Sequence, residues 1–345
     1  MRLQVKFLLV ILSRGVIPIL LNKPWHHVLM NQLLPYDQKD MRHSFKMRSS
    51  YLYALFSING ITAGAHRLWT HRTYKANLPL RIFLMFWQTA ALQNDIYIWS
   101  RDHRVHHKFT DTDADPHNSK RGFFFSHVGW LLCKKHRDVI EKGKTIDMSD
   151  VLADPVVQFQ RKFYVPLILL TTFVLPTWIP VYFWGESLKV SFISTITRYV
   201  LSLNGTWCIN SVTHMFGTKP YDKSISSVQN VTMGLIGLGE GWHNYHHTFP
   251  WDYRAHEFAN FSINMSGAFI TFMSKIGWAT ELKVVPDEAI RRRALRTGDG
   301  SRANINTLNK EELISRIPEN YNNNVWGYGD KDIENEEVQI LKAYS

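Results

Sequence analysis

The chain has 345 residues, a net charge of +11 and an isoelectric point near 9.5. This positive charge favours an anionic partner, such as a membrane surface, a nucleic acid or a phosphorylated substrate. The only two cysteines, Cys133 and Cys208, argue against a disulfide framework and exclude a metal site built on sulfur ligands. The catalytic side is therefore expected to face a reducing compartment.

The N-terminal region, residues 1–59, contains two short apolar stretches. Residues 7–21 are interrupted by Arg14 and Pro18, so this stretch is either a weak membrane segment or a signal-like sequence without a clear cleavage site. Residues 51–65 carry no charged side chain. A stretch of this length is short for a crossing of about 30 Å of hydrocarbon.

A membrane hairpin is predicted in the middle of the chain. Residues 163–184 contain no charged side chain and are long enough to span about 30 Å. Their prolines would bend a helix, which membrane proteins tolerate where neighbouring groups satisfy the freed carbonyls. A second apolar stretch, residues 190–209, is interrupted only by Arg198. The alternative is a buried pair of helices in a soluble protein.

The distribution of basic residues predicts an orientation for this hairpin. Residues 134–137 and 291–293 are basic and are expected in the cytosol, with the loop at 185–189 on the lumenal side. The acidic, asparagine-rich end of the chain, residues 301–345, is expected to be a solvated tail.

More than half of the sixteen histidines fall in four short groups. Two groups share the spacing H-x-x-H-H, which in a helix can aim three imidazoles at one point. His66 and His71 lie about 140° apart on an ideal helix, so this pair is expected where a helix ends or bends. The grouped histidines are His66, His71, His103, His106, His107, His214, His243, His246 and His247.

So many imidazoles exceed the needs of one structural zinc, which takes four ligands. The H-E-x-x-H pattern of zinc proteases is absent from the sequence. Imidazole binds iron, copper, nickel and zinc, so the ligand type does not select the metal. A pair of redox metals that activates dioxygen beside an alkyl substrate is favoured over hydrolytic di-zinc chemistry.

The segments around these histidines resemble the acyl-CoA desaturases, particularly those of insects. The second group, His103-Arg-Val-His106-His107, lies in one such segment. The resemblance extends from Gly60 to about Ser301 and returns at residues 326–332. The segments that carry it are residues 60–74, 94–97, 99–108, 113–117, 121–130, 204–211, 220–223 and 239–250.

This resemblance implies an all-α integral membrane protein, in which four membrane helices form a stem beneath a cytosolic helical cap. Here the first hairpin is expected to be shortened, with a desaturase domain at residues 60–300 and a polar tail at residues 301–345. The implied reaction inserts a cis double bond, commonly at delta-9, into a saturated acyl-CoA. It requires two iron ions, dioxygen and electrons from cytochrome b5 and its reductase. The implied location is the endoplasmic reticulum membrane, with several spans, a cytosolic cap and no nucleic acid partner.

The resemblance also implies roles for individual residues. The nine histidines match the iron ligands, and Asn210 matches an asparagine that holds a metal-bound water; no protein acid or base is required. Two groups of residues match substrate contacts, against the alternatives of surface pairs and ordinary core. Those expected near the CoA head are Arg101, Asp102, Lys134 and Lys135, and Asn94 matches a further polar substrate contact. Those expected along the bent acyl tunnel are Gln93, Trp99, Thr206 and Trp207.

Two other hypotheses remain open. A di-iron hydroxylase, or a desaturase acting at another bond, would use the same ligands, since a small shift of the substrate at the metals redirects the second hydrogen abstraction. A non-catalytic membrane relative is suggested by the N-terminal region. Ala54 and Ile58 occupy helical positions that close the far end of the acyl tunnel in relatives, so the tunnel length is not predicted.

Overall fold

The computed structural model describes residues 38–257 and 264–302, with side chains from residue 49 onward. The apolar stretch at 7–21 and the segment at 326–332 lie outside the described residues.

The first described elements are α1 (Gln38–Asn59), a π-helical segment (Gly60–Thr70), β1 (Lys75–Ala76), α2 (Leu78–Ala91), α3 (Ile96–Lys108), a 3-10 turn (Ser119–Arg121) and a second π-helical segment (Phe125–Gly129). These are followed by α4 (Trp130–Leu132), α5 (Arg137–Lys144), α6 (Ser149–Ala153), α7 (Pro155–Lys162), α8 (Tyr164–Ile168), a third π-helical segment (Leu169–Val174) and α9 (Leu175–Trp184). The last are α10 (Leu188–Ser211), a 3-10 turn (Val212–His214), α11 (Val231–Ile236), α12 (His243–Thr248), α13 (Met265–Lys275), β2 (Ala279–Thr280) and α14 (Asp287–Thr297).

The described residues are therefore mainly helical, as expected. The short antiparallel pair of β1 and β2 joins the segment after the first histidine pair to the chain near residue 280. Tyr253 N–H donates to the Lys283 carbonyl (3.0 Å), and Lys283 N–H donates to the Thr73 carbonyl (2.9 Å). These bonds hold the C-terminal part of the fold against the end of the first long helix.

The first long helix is formed by α1 and the π-helical segment that continues it without a break. The apolar stretch at residues 51–65 is thus part of a longer helix than its composition indicates. The predicted boundary after residue 59 lies inside this helix. At Gly60 the helix crosses α2 so closely that a Cβ atom would lie 2.2 Å from the Gln88 nitrogen, so only glycine fits.

The predicted hairpin is formed by two antiparallel helices. The first, Tyr164–Trp184, is continuous through its π-helical segment, and within the described residues it is the one helix long and apolar enough to cross a membrane. The second is α10, whose bounds differ by two residues at each end from the predicted 190–209. They are joined at Gly185, which has the left-handed φ of +63° that glycine adopts without strain.

The two arms of the hairpin differ in their polar residues. The side chains of Ser191, Thr195, Arg198 and Ser202 on α10 are buried. Ser191 donates to the carbonyl of Thr177 on the first arm at 2.6 Å. The polar side chains of α10 therefore face the protein. Their presence lowers the mean hydropathy of this helix.

Large apolar side chains on the outside of the hairpin are solvent-exposed, which argues against the soluble alternative. Tyr182 is 81% exposed, Phe183 69% and Leu201 67%. An apolar surface this extensive is typical of a region that contacts lipid or another protein. Away from the hairpin, the main core packs the first π-helical segment, α2, α3 and α7 around Leu80, Leu84 and Ile96.

Candidate metal centre

Nine buried or half-buried histidines from four segments meet at the end of the first long helix. They form two groups, in each of which the ligand atoms lie within 4.8 Å of one another. The five-histidine group contains His66, His71, His103, His107 and His246. The four-histidine group contains His106, His214, His243 and His247. All nine predicted ligand positions are thus brought together.

The expectation that each H-x-x-H-H triplet aims at one point was wrong. On α3, His103 and His107 belong to the five-histidine group, whereas His106 belongs to the other. On α12 the assignment is reversed, because His246 joins the five-histidine group. The reason is geometric: residues four apart in a helix differ by about 40° in direction, whereas adjacent residues differ by about 100°. Each triplet therefore contributes to both groups.

The first pair, His66 and His71, lies where the helix changes its winding, as predicted. The segment Gly60–Thr70 is π-helical, and His71 N–H donates to the His66 carbonyl at 3.1 Å. In this winding the backbone hydrogen bonds join residues five apart, so their side chains come to nearly the same face. The two imidazole rings accordingly lie 5.0 Å apart, centre to centre.

The nitrogen atoms of these rings fit a metal ion. Neighbouring Nε2 atoms lie 2.9 Å apart for His66 and His246, 3.0 Å for His107 and His246, and 3.1 Å for His214 and His243. Two imidazole nitrogens bound at right angles, each about 2.1 Å from one metal, would be about 3 Å apart. The buried Nε2 atom of His71 has no hydrogen-bond partner among the described residues. The donor set therefore suits metal ions that prefer nitrogen ligands.

Three carboxylates that the sequence analysis did not single out contact the outer nitrogens of these rings. Glu240 Oε2 lies 3.1 Å from Nδ1 of His66, and Asp115 Oδ2 lies 2.9 Å from Nδ1 of His106. Asp111 Oδ2 lies 3.5 Å from Nδ1 of His214. An ionised carboxylate only accepts hydrogen bonds, so each Nδ1 carries the proton and each Nε2 is free for a metal.

The signal for these carboxylates was present in the sequence. Glu240 and Asp115 both lie within segments that resemble the desaturases, three residues before His243 and two before His117. Spacing alone could not show which histidine each carboxylate contacts. Glu240, for example, contacts His66, which is far away in the chain.

Burial favours the neutral form of most of the rings, and neighbouring groups keep the carboxylates ionised. Burial lowers the pKa of six of these imidazoles well below the ordinary value of 6.5, and the neighbouring histidines lower it further. Burial alone would raise the pKa of Glu240, but Arg67 and His66 lower it to about 2. Burial alone would also raise the pKa of Asp115, but His106 and His117 lower it to about 2. The imidazoles with strongly lowered pKa values are His71, His103, His107, His243, His246 and His247.

His117, which the sequence analysis left out, lies beside the four-histidine group. Its ring centre is 4.2 Å from that of His106, and its Nδ1 atom is 3.6 Å from Asp115 Oδ1. It also lines the cavity next to the centre. His117 is therefore a neighbour of the ligand shell rather than a member of either principal group.

Two cavities of about 90 and 80 Å³ meet beside the histidines and contain most of the predicted substrate residues. The lining residues common to both are Trp99, His103, Thr206 and Asn210. The first cavity continues to Gln93, Asn94, Asp102 and Trp207, and the second to Ile58, Ile61 and Ile236. Together they form a path beside the histidines, and the part that both cavities share is called its corner. The substrate roles of these residues remain predictions.

The corner of this path is fixed by specific contacts. Gln93 Nε2 donates to Thr206 Oγ1 at 2.9 Å, and Trp99 stacks on His103 with ring centres 4.9 Å apart. Asn94 has a φ of +75°, which asparagine tolerates better than most residues. Its carbonyl accepts a hydrogen bond from Gln88 Nε2 at 2.8 Å.

Three of the predicted CoA contacts, Arg101, Asp102 and Lys135, form a small charged group. The Arg101 guanidinium lies 2.8 Å from Asp102 Oδ1, and Lys135 pairs with the other oxygen of Asp102. Lys134 is exposed nearby along the chain. Of this group, only Asp102 lines the first cavity directly.

Comparison with known proteins identifies related sequences. A sequence profile described as fatty acid desaturase matches residues 47–259. An acyl-CoA Delta-9 desaturase of Acheta domesticus is 53% identical over 280 residues, covering 81% of this chain and 72% of that protein. An acyl-CoA Delta12-desaturase of the same organism is 52% identical over 287 residues, covering 83% and 74%. Stearoyl-CoA desaturase 5 of Bos taurus is 58% identical over 253 residues, covering 73% and 75%.

Proposed function

Because the chain belongs to the fatty acid desaturase family, we propose that it inserts a cis double bond into a saturated acyl chain held as a CoA thioester. The observation that carries this proposal is the pair of cavities that meet beside nine histidines in two groups. Neither part alone would suffice, since metal centres and apolar cavities each serve many functions. Their contact would place a methylene chain beside a redox-capable centre.

The centre is proposed to hold two iron ions, one in each histidine group. Bound iron would supply the dioxygen activation that removes one hydrogen from each of two neighbouring methylenes. Histidine ligands without cysteine suit iron in this role, and the buried position excludes bulk water. Asn210, which lines both cavities at the corner, is proposed to hold a water ligand.

The protein's own residues position the chain for this reaction. The Gln93–Thr206 hydrogen bond fixes the corner, and Trp99 and Trp207 both line the first cavity. A saturated chain is proposed to bend along this path, so that it presents one carbon pair to the metals. Arg101, Lys134 and Lys135 supply positive charge for the CoA phosphates at the open end.

The position of the double bond is proposed as delta-9. The named delta-9 and delta-12 relatives of Acheta domesticus differ by only one percentage point in identity to this chain, so the bond must be located by experiment. The same experiment separates desaturation from hydroxylation, which would give a hydroxy acid.

Two electrons must accompany each dioxygen molecule, and cytochrome b5 with its reductase is the proposed donor. The basic cap, to which the exposed Arg291 on α14 contributes, would attract an acidic surface on this donor.

The proposed location is the endoplasmic reticulum membrane, with several spans and the cap in the cytosol. The family is membrane-associated, and the exposed apolar hairpin supports insertion. A glycosylation sequon inserted at Gly185 should be modified if this turn is lumenal. The exposed Cys133 should react with an impermeant maleimide after selective opening of the plasma membrane. The reverse pattern would contradict the orientation.

The activity is tested in a yeast strain that lacks its own desaturase. We expect the chain to support growth and to produce an unsaturated fatty acid whose double bond, located by mass spectrometry, lies at carbon 9. Normal membrane expression with no new unsaturated acid would overturn the proposal.

Two alanine variants make this test specific. His106→Ala removes a ring from the four-histidine group and should abolish product. His136→Ala is the matched control, because His136 is 46% exposed at the start of α5 and outside both groups. Full activity in His106→Ala would contradict the metal assignment.

A further inference from the structure

The two histidine groups differ in the charges behind them. In the five-histidine group, His66 contacts Glu240, which also accepts a hydrogen bond from the Arg67 guanidinium at 2.6 Å. The charge of Glu240 is therefore balanced within the protein. In the four-histidine group, two rings contact carboxylates, those of His106 and His214.

The carboxylates behind the four-histidine group, Asp111 and Asp115, have no such cation. Each residue is only 3% exposed. Within residues 38–257 and 264–302, their ion-pair partners are histidines alone. Two ionised carboxylates are thus buried beside a group of rings. The remaining source of positive charge for them is a metal ion bound by these rings.

A single loop after α3 holds both carboxylates in place. The Asp111 N–H donates to Asp115 Oδ2 at 2.8 Å, which ties the two residues together. Ser119 N–H donates to Asp111 Oδ1 at 2.6 Å, and His117 N–H donates to Asp115 Oδ1 at 3.1 Å. The Ser226 hydroxyl also donates to Asp111. These donors fix the carboxylates while one oxygen of each faces a ligand ring.

We propose that Asp111 and Asp115 are positioning residues that selectively stabilise the metal ion of the four-histidine group. This inference rests on the proposed function, since it takes the nine histidines to hold two metal ions. Buried carboxylates without a cation are costly, and a metal ion on the rings that they contact compensates their charge. They also fix the ring orientation and raise the basicity of the ligand nitrogens. The four-histidine position is thereby the more electron-rich of the two.

The test replaces each carboxylate by its amide in the full-length purified chain. Asp111→Asn and Asp115→Asn should each weaken iron binding at one position by roughly 10- to 100-fold, the usual cost of losing such a partner. Iron content during a chelator titration should then fall in two separated steps. The Mössbauer spectrum of the half-depleted protein should retain the signal of one site and lose that of the other.

The matched control is Asp113→Asn, which lies between the two residues on the same loop and is exposed. It should titrate like the unchanged protein. If Asp115→Asn fails to accumulate, Ser226→Ala removes a hydroxyl that donates to Asp111 and lies 3.4 Å from Nδ1 of His214, and it should show the same selective weakening to a smaller extent.

Two results would overturn the inference: both amide variants binding iron as tightly as the unchanged chain, or both sites weakening equally. An unchanged chain that binds no iron would instead contradict the proposed function. The two failures are therefore distinguishable in the same titration.

Discussion

The histidine centre and the cavity beside it are stabilised by different interactions. Around the centre, buried charges balance one another, as in the pair of Arg67 and Glu240 at 2.6 Å. The cavity has mainly apolar walls, and its corner is closed by one hydrogen bond, between Gln93 and Thr206. The centre should therefore tolerate few substitutions, because each leaves a buried polar group without its partner. Substitutions in the cavity wall should have graded effects that follow the change in side-chain volume.

Metal removal should have the largest effect, because it removes the centre and leaves the cavity intact. Chelation of membranes that contain the protein should abolish product formation. Ferrous iron should restore it, whereas zinc should not, because zinc has no redox chemistry. The measurement is conversion of radiolabelled stearoyl-CoA with an electron donor present. Activity that survives chelation, or returns with zinc, would contradict di-iron chemistry.

Loss of the buried arginine should have the next largest effect. Arg67 is 1% exposed and also donates to the Tyr253 carbonyl at 2.9 Å. Arg67→Met leaves Glu240 buried without its cation, which should cost about 3–5 kcal/mol of stability. Thermal unfolding in detergent measures the loss. Adding Glu240→Gln should recover part of it, and Arg137→Met, at an exposed position, should change little.

Opening the corner of the cavity should have a moderate effect. Thr206→Val keeps the side-chain shape but removes the acceptor of the Gln93 hydrogen bond. A hydrogen bond of this kind contributes about 1 kcal/mol, which corresponds to roughly fivefold in kcat/KM. A second double-bond isomer should also appear in the products. Thr197→Val, on the same helix and exposed, is the control; an equal effect there would refute the role of the corner.

The smallest effect is expected at the far end of the path. Ile58 lines the second cavity, and Ile58→Ala enlarges it. Each additional methylene that becomes buried contributes about 0.8 kcal/mol, so the preference for a longer chain should rise roughly fourfold per methylene. Competition between acyl-CoA substrates of different length measures this preference. An unchanged preference would show that Ile58 does not limit chain length.

Features that depend on neighbouring residues were predictable from the sequence. The charge-free run at 163–184 predicted the helix Tyr164–Trp184, because the absence of charge is a local property. The spacing of His66 and His71 predicted for the same reason that the pair lies where a helix ends or bends, and the π-helical segment ends at Thr70, between the two. The segments around the histidines identified the family, which the comparisons confirm.

Features that depend on how helices face one another were not predictable. The spacing of His103, His106 and His107 does not show that the middle ring belongs to a different group from its neighbours. Nor could it show that Asp111 and Asp115 lie behind rings of that second group, or that Arg67 balances Glu240.

The sequence by itself thus determined the histidine clusters, the hairpin and the family, because residue type and short-range spacing encode them. The tertiary structure decided how the histidines divide into two unequal groups and which residues line the cavities. Those properties arise from contacts between residues more than 100 positions apart in the chain, such as His106 with His247 and Gln93 with Thr206.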